Sequence, residues 1–527
     1  MSQPTTRRSG GISTRWLALA ALSLSLVAIG LDQTVLSLAL PTLSKSFGAS
    51  ESQLQWFVTA YTLALAAAML PAGLLGDRIG RKTVLVGAIV LFGVTSVACA
   101  YAPDANVFIA ARAVLGVAGA ALIVMSLAFV TVLFNETERP RAMGIWAAGN
   151  FLALPLGPII GGYVLAHFWW GWVFLMNVPV VLIGLAAAIL FVPQSRSERR
   201  PSIDILGVML SSAGLAALMY GLVEAGDNGW GSVSAIVPSI VALAVLAAFV
   251  LWEAFLTLRP IVDPLIDLGL FRSRSFSVGV VLAGAGIFGM FGVLFTLPQY
   301  LQAIMGVDAQ GAGLRFLPMI GGMVIGAVFA DRVALRLGSK ITVGFGFGVM
   351  AAGMLLASGM TVSTGDGYIA GFSFIVGAGA GLGLATAASA AIMELSEERS
   401  GVGGALIQAI VKLGPAFGAT ILGSVLNSTY QSHVAVAGLP AAASAAVQQS
   451  VFGGLAVAGQ MGSSALADSV RSAFVAGMDD ASRVAAIIAV AAMVGALVLL
   501  PGRSPAAVAA DPDAKATSDA VSSTSGV

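Results

Sequence analysis

Charge is what this chain has least of. Only 10% of its 527 residues are Asp, Glu, Lys or Arg, where an average soluble chain carries about 25%. Hydrophobic residues make up 58%, and lipid is the simplest place to bury so much apolar chain without a polar face. The net charge of +1 gives no reason to expect nucleic acid or an acidic partner. One cysteine, Cys99, excludes an internal disulfide. Two histidines, His167 and His433, form no cluster with metal-ligand spacing, and no nucleophile stands beside a base. No metal, no cofactor and no enzymatic activity are therefore expected. A cleavable signal peptide is lacking too. Residues 1–15 are polar, and the apolar run from Trp16 to Leu40 is too long for a signal core.

What is present is a series of apolar windows, each near the ~20 residues a spanning helix needs. Six fall near 16–40, 54–75, 83–101, 107–134, 142–168 and 171–192. A linker with Arg196, Arg199 and Arg200 follows, then two more windows at 205–224 and 233–255. After a second charged linker, six lie near 276–297, 312–330, 341–360, 367–393, 403–427 and 484–500. The pattern predicts an all-α polytopic membrane protein with 14 spans, grouped six, two, six. The domains expected are a bundle over 16–192, two additional helices over 205–255 and a bundle over 276–502. An N-terminal segment 1–15 and a disordered tail 503–527 flank them. Residues 428–482 are expected to form an extracytoplasmic hairpin of short amphipathic helices. The alternative is a further membrane-entering segment around Val451 to Met461.

Orientation follows from the basic residues. With fourteen spans, 20 of the 26 Lys and Arg residues fall on the side of both termini, which is then the cytoplasmic side. Lys45, Arg315, Arg471 and Arg483 lie opposite, while Arg112 and Lys412 lie within spans.

Three constellations carry chemistry. Between the second and third windows stands Gly73-Leu74-Leu75-Gly76-Asp77-Arg78-Ile79-Gly80-Arg81-Lys82. A short loop needs glycines to turn sharply between packed helices. A degenerate copy, Asp331-Arg332 with Arg336, Gly338 and Lys340, recurs between the tenth and eleventh windows, as in a chain built from two related halves. The fifth window carries Pro155, Gly157, Pro158, Gly161 and Gly162, where proline bends the helix and glycine admits a close neighbour. Asp32 in the first window is an acid inside a membrane helix, costly and therefore a candidate to carry a proton. Arg112 in the fourth window is its natural partner. The two helices run in opposite directions, which puts both residues roughly 8–13 Å from the outer ends at ~1.5 Å per residue. A static ion pair joining the two helices is the plain alternative.

With these residues in view, the chain resembles the 14-helix drug:proton antiporters of the major facilitator superfamily, in particular their QacA-like branch. The loop motif G-x-L-x-D-R-x-G-R-K is complete, and Leu31-Asp32-Gln33-Thr34 with Ala39-Leu40-Pro41 matches the first helix. Trp172 to Pro179, Leu297-Pro298-Gln299-Tyr300-Leu301-Gln302 and the long segment before the last window match as well, so the likeness runs over about 16–502. The resemblance implies two six-helix bundles plus two extra helices, alternating access, and efflux driven by the proton motive force. It makes Gly73, Asp77, Arg78, Gly80 and Arg81 a conformational latch, with Asp77 facing the start of the thirteenth helix near Gly403. It makes the fifth-window residues the antiporter motif, and Asp32 with Arg112 the coupling pair.

The departures concern substrate. Leu115 stands where a polar residue is usual. The acids that cation-exporting relatives carry in the tenth and thirteenth helices align with Gly322 and with Ile407, Gln408 and Lys412. A base in place of an acid speaks against dicationic substrates and favours neutral, zwitterionic or anionic ones, or at most monovalent cations. Lys412, about ten residues into its helix, then faces the cavity or pairs with Asp32 or Glu394. Gln408, Trp56, Tyr61, Phe288, Met290 and Phe291 are candidate cavity residues, although aromatic and methionine side chains more often serve plain packing. The partners expected are a hydrophobic small molecule, protons and membrane lipids, with the chain a monomer. Exporters of a lipid, siderophore or endogenous antibiotic fit the same residues, and a solute:proton symporter fits less well. The two extra helices over 205–255 and the 428–482 hairpin have no role that the sequence explains.

Overall fold

The computed structural model describes residues 12–134, 138–194, 204–258, 264–266, 268–393, 407 and 410–500. Among them every regular element is helical. The first group comprises α1 (Ile12–Phe47), α2 (Glu51–Ile79), α3 (Arg81–Ala100), α4 (Ala105–Leu133) and α5 (Arg139–His167), then α6 (Trp172–Leu175) and α7 (Asn177–Phe191). Two helices follow, α8 (Ile205–Asn228) and α9 (Val233–Leu258). The rest are α10 (Arg274–Gln299), a π turn (Tyr300–Ile304), α11 (Ala309–Leu314), α12 (Leu317–Leu337), α13 (Ser339–Ala357), α14 (Asp366–Met393) and α15 (Gly414–His433). Two short helices, α16 (Ala441–Gln449) and α17 (Val451–Met461), lead to the last, α18 (Ser464–Leu499).

Eleven helical segments among the described residues are long and apolar enough to cross a membrane, or twelve if the bent α2 is one span. These coincide with twelve of the fourteen apolar windows. The window at 142–168 falls on α5, and that at 403–427 on α15 together with residues largely outside the described set.

Local signals explain the boundaries. α1 gives way to α2 at Gly48, whose φ is 62°. Ser50 then caps α2 in a reciprocal box with Gln53, which satisfies two otherwise orphaned backbone N–H groups. Asp104 caps α4 by accepting from the amides of Asn106 and Val107 at 2.9 Å. Pro298 near the end of α10 removes a ladder hydrogen bond, and the chain passes into the π turn.

Contacts divide the molecule into two compact units. Unit 1 comprises Met1–Ile266, Leu294–Leu317 and Pro415–Met478, and unit 2 comprises Asp267–Val293, Pro318–Gly414 and Asp479–Val527. In unit 1, α2 packs on α4 and α1 on α5, with α11 also against α5. The α8–α9 pair is stitched by Gly214 against Leu246 (2.8 Å for an added Cβ) and by Gly221 against the α9 backbone. Only 22% and 17% of the apolar windows in α8 and α9 are buried, against 72% in α1, so this pair offers most of its surface to lipid. In unit 2, α12, α13 and α14 pack through glycines.

One boundary differs from expectation. The hairpin over 428–482 contains α16 and α17, but the last helix begins at Ser464 rather than near 484. Hydropathy marks only the apolar part of a helix. The preceding stretch is rich in alanine, free of proline, and capped by Ser463, which accepts from the Leu466 amide at 3.2 Å, so the helix simply continues upstream. At 11 residues, α17 is ~16 Å long, too short to cross ~30 Å of hydrocarbon.

Candidate functional site

The candidate site grows from α1, α2, α4 and α5, all in unit 1. Asp32 on α1 and Arg112 on α4 are 0% and 1% exposed, and Nη1 of Arg112 donates to Oδ2 of Asp32. The guanidinium is fixed from two further directions. Its Nε donates to the Phe57 carbonyl at 3.1 Å, and its carbon sits 4.3 Å from the centre of the Tyr61 ring. Both anchors belong to α2, so the arginine ties three helices together. Gly116, one turn along α4, lies directly on the Tyr61 carbonyl and lets α4 approach closely enough. The second oxygen, Oδ1 of Asp32, accepts no hydrogen bond from the described residues. A buried carboxylate with one oxygen held by a cation and the other unoccupied has room for a proton without rearrangement.

The glycines of α5 meet α1 beside this pair. A Cβ at Gly157 would fall on the Thr34 hydroxyl, and one at Gly161 would meet the methyls of Val35. Thr34 and Val35 lie two and three residues beyond Asp32, so the α5 motif sets how closely α1 can be packed where its acid is. On its other side, a Cβ added at Gly162 would come within 2.8 Å of the Ala309 carbonyl of α11, and Gly313 of α11 lies on the Pro158 carbonyl. Pro155 lies within the same helix, its side chain outside the described set.

The loop motif takes a definite form. Asp77 binds Arg81 one turn on, with Oδ1 accepting from Nη2 at 2.8 Å and from Nε at 2.9 Å. Gly80 holds φ at +116°, a value side chains rarely adopt, and its N–H caps α2 while its carbonyl starts α3. Gly73 and Gly76 face Val124 and Met125 of α4, and Arg78 is exposed. Gly338 between α12 and α13 repeats the arrangement with φ +82° and the same two backbone bonds. The weak second copy in the sequence is thus the same turn. Gly403, the expected neighbour of Asp77, lies outside the described residues.

The remaining candidates scatter. Trp56 is half-buried on α2, while Phe288, Met290 and Phe291 are buried on α10 in unit 2. Lys412 is half-buried in the turn before α15, and among the described residues it makes no ion pair. Asp32 pairs with Arg112 instead, and Gln408 and Glu394 lie outside the described set. Gly322 has a structural reason to be glycine: a Cβ there would land on the Phe374 carbonyl of α14. No acid fits at that position with the helices so placed.

Sequence reasoning passed over a second polar cluster in unit 1. Glu51 at the start of α2 accepts from Nε2 of Gln299 at 3.1 Å, and Asp227 at the end of α8 accepts from Nδ2 of Asn427 at 2.8 Å. The pattern Ser50-x-x-Gln53 before an apolar run marks Glu51 as the first helical residue, but it does not distinguish a buried acid from a solvated one.

The span pattern, the buried pair and the repeated glycine turn define a multi-pass membrane transporter, and the profile of the Major Facilitator Superfamily matches residues 22–419. The chain belongs to that family. It is 31% identical to the multidrug efflux pump LfrA of Mycolicibacterium smegmatis, over 93% of this chain and 97% of that one. It is 32% identical to the tetracenomycin C resistance and export protein of Streptomyces glaucescens, over 93% of each. The methyl viologen resistance protein SmvA of Salmonella typhimurium is 30% identical over 88% of this chain and 93% of its own. Among solved structures, a bacterial homolog of the human lysosomal transporter Spinster superposes with a TM-score of 0.67 at 16% identity, over 93% of this chain and 98% of that one. That likeness concerns the fold alone.

Proposed function

We propose that this chain is a proton-coupled efflux transporter for hydrophobic small molecules, working by alternating access in the plasma membrane with 14 spans and both termini in the cytoplasm. The observation that carries the coupling is the buried Asp32–Arg112 pair, whose Oδ1 is open to a proton and whose helix is packed against the α5 glycines. Protonation of Asp32 weakens its hold on Arg112, and α1 and α4 are then free to change their spacing. Proton entry from outside and substrate exit become alternative uses of one arrangement. The efflux direction is supported by relatives that are themselves efflux and resistance proteins over nearly their whole length. Lys412, together with a glycine-sealed α12, supports substrates that are neutral, zwitterionic or anionic. Export of an endogenous antibiotic is the second reading, supported by the tetracenomycin C resistance and export protein among the relatives.

The test uses inverted vesicles holding the parent chain or Asp32→Asn, with proton release followed as candidate drugs are added. Release that vanishes in Asp32→Asn and with a protonophore is the expected result. Release unaffected by Asp32→Asn would remove the coupling role from α1.

A further inference from the structure

Glu51 and Asp227 are two acids that the Asp32 site leaves unused, and they share surroundings drawn from four helices of unit 1. Glu51 is 2% exposed and Gln299 is 0% exposed. Oε1 of Glu51 accepts from the Gln299 amide, whose own oxygen, Oε1, has no partner. Asn427 of α15, 2% exposed, donates to Asp227 and repeats the pattern, its Oδ1 also without a partner. Around them Ser424 donates to the Leu222 carbonyl of α8 at 2.7 Å and to Gln55 of α2 at 3.2 Å. Gly226 of α8 lies on Ser424 at 2.7 Å for an added Cβ.

The charged and titratable neighbours on each element are few. α8 presents Asp227 and Glu224, α15 presents Tyr430, and α10 presents only the neutral Gln299. Lys45 of α1 lies over the Phe452 ring of α17. Among the described residues neither Glu51 nor Asp227 forms an ion pair with Lys or Arg. Two buried or half-buried carboxyls without a cation, beside two amide oxygens without a donor, lack one thing only: a hydrogen. A proton on Glu51 turns an acceptor into a donor, and rotating the Gln299 amide brings its unpartnered oxygen to receive it, in exchange for the 3.3 Å bond that Nε2 now donates to the Phe295 carbonyl.

We propose that Glu51 and Asp227 form a second proton-binding site, separate from Asp32, that holds this end of the molecule closed while occupied. The accessory pair α8–α9 would then be the part that brings Asp227 to α2 and α15. The inference rests on the proton-coupled reading above, whose orientation puts this end outside. Its sign follows from linkage: a site that takes its proton in the closed arrangement favours that arrangement at low pH and releases it as pH rises. Loss of the proton leaves two neighbouring negative charges in a site with no counter-ion.

The experiment places spin labels at Ser46→Cys on α1 and Ser432→Cys on α15, both exposed and both at this end, in a Cys99→Ser background of the full chain in lipid vesicles. Inter-label distances are recorded from about pH 5 to about pH 9, the range that brackets a perturbed carboxyl. The parent is expected to shift to longer distances as pH rises. Glu51→Gln, a neutral isostere, is expected to keep the short distance throughout. A Glu51→Gln profile that overlays the parent overturns the proposal, and so does a parent with no pH dependence. Should Glu51→Gln not be recovered folded, Asp227→Asn carries the same comparison, with an unshifted midpoint as the overturning result. The Asp32 vesicle assay reads proton coupling independently, so each idea fails on its own measurement.

Discussion

The α2–α4 interface of unit 1 and the α12–α14 interface of unit 2 occupy corresponding places in the two related halves, yet they are built from opposite materials. In the first, α4 sends Arg112 across to the Phe57 carbonyl and the Tyr61 ring, and Gly116 lets it approach the α2 backbone, while Gly73, Gly76 and Gly119 face side chains. In the second, Gly322 and Gly326 on α12 and Gly377 and Gly381 on α14 interleave, each lying on a backbone carbonyl of the other helix. Small residues that bring two backbones together are the ordinary means of joining membrane helices, where hydrophobicity itself contributes nothing. An arginine in the same place is expensive and persists only where it has fixed partners and a use. One half of the transporter therefore carries a buried ion pair at this place, and the other is closed by glycine against any side chain at Gly322.

The comparison breaks most visibly at Arg112. Arg112→Ala strands the Asp32 carboxylate in a buried site, which should cost about 3–5 kcal/mol. Thermal unfolding in detergent should show a clear loss, accompanied by loss of transport. Asp32→Asn leaves the pair neutral on one side and should unfold much closer to the parent. Equal stability of the two variants would mean that the pair is not what locks α1 to α4. The glycine interface is tested next. Gly322→Ala and Gly377→Ala force a methyl onto a carbonyl and should each cost about 1–3 kcal/mol. Gly371→Ala on the same α14 meets nothing within 4 Å and should stay within about 0.5 kcal/mol of the parent.

These contrasts also show what the sequence could and could not reveal. Charges are so rare inside the spans that Asp32 and Arg112 could be paired from helix direction and depth alone. The Gly73 to Lys82 loop was legible because its residues answer to one local turn, and Gly338 with φ +82° shows why its degraded copy keeps a glycine. Glu51 and Asp227 stand at helix ends, where acids are commonplace, so nothing in the sequence separates them from solvated caps. Their significance comes from partners 248 and 200 residues away. The start of α18 escaped because hydropathy reports membrane contact and not helix length. The reason for Gly322 was invisible for a related cause: a close backbone approach leaves no pattern beyond the glycine itself.

A size-swap tests whether the α5 glycines act on the acid-bearing helix. Gly157→Ala should push Thr34 aside and lower the transport rate, because the added methyl falls on its hydroxyl. Thr34→Ala in the same chain should restore part of that rate, since it removes the group being struck. The two substitutions then couple in a double-mutant cycle, as contacting residues do. Independent, additive effects would show that α5 does not control the packing of α1 beside Asp32.

The smallest effect on folding should come from Lys412, and its value lies in what it does instead. Lys412 sits half-buried in a turn, with no ion pair among the described residues, so Lys412→Ala should leave stability within about 0.5 kcal/mol of the parent. If the residue sets charge preference, the same variant should raise export of a monovalent cationic drug relative to a neutral one by about tenfold, a difference of ~1.4 kcal/mol. Gly322→Asp cannot serve as the converse, because no side chain fits between α12 and α14 at that point. A cation-to-neutral ratio unchanged in Lys412→Ala would place selectivity elsewhere and leave the lysine a structural residue.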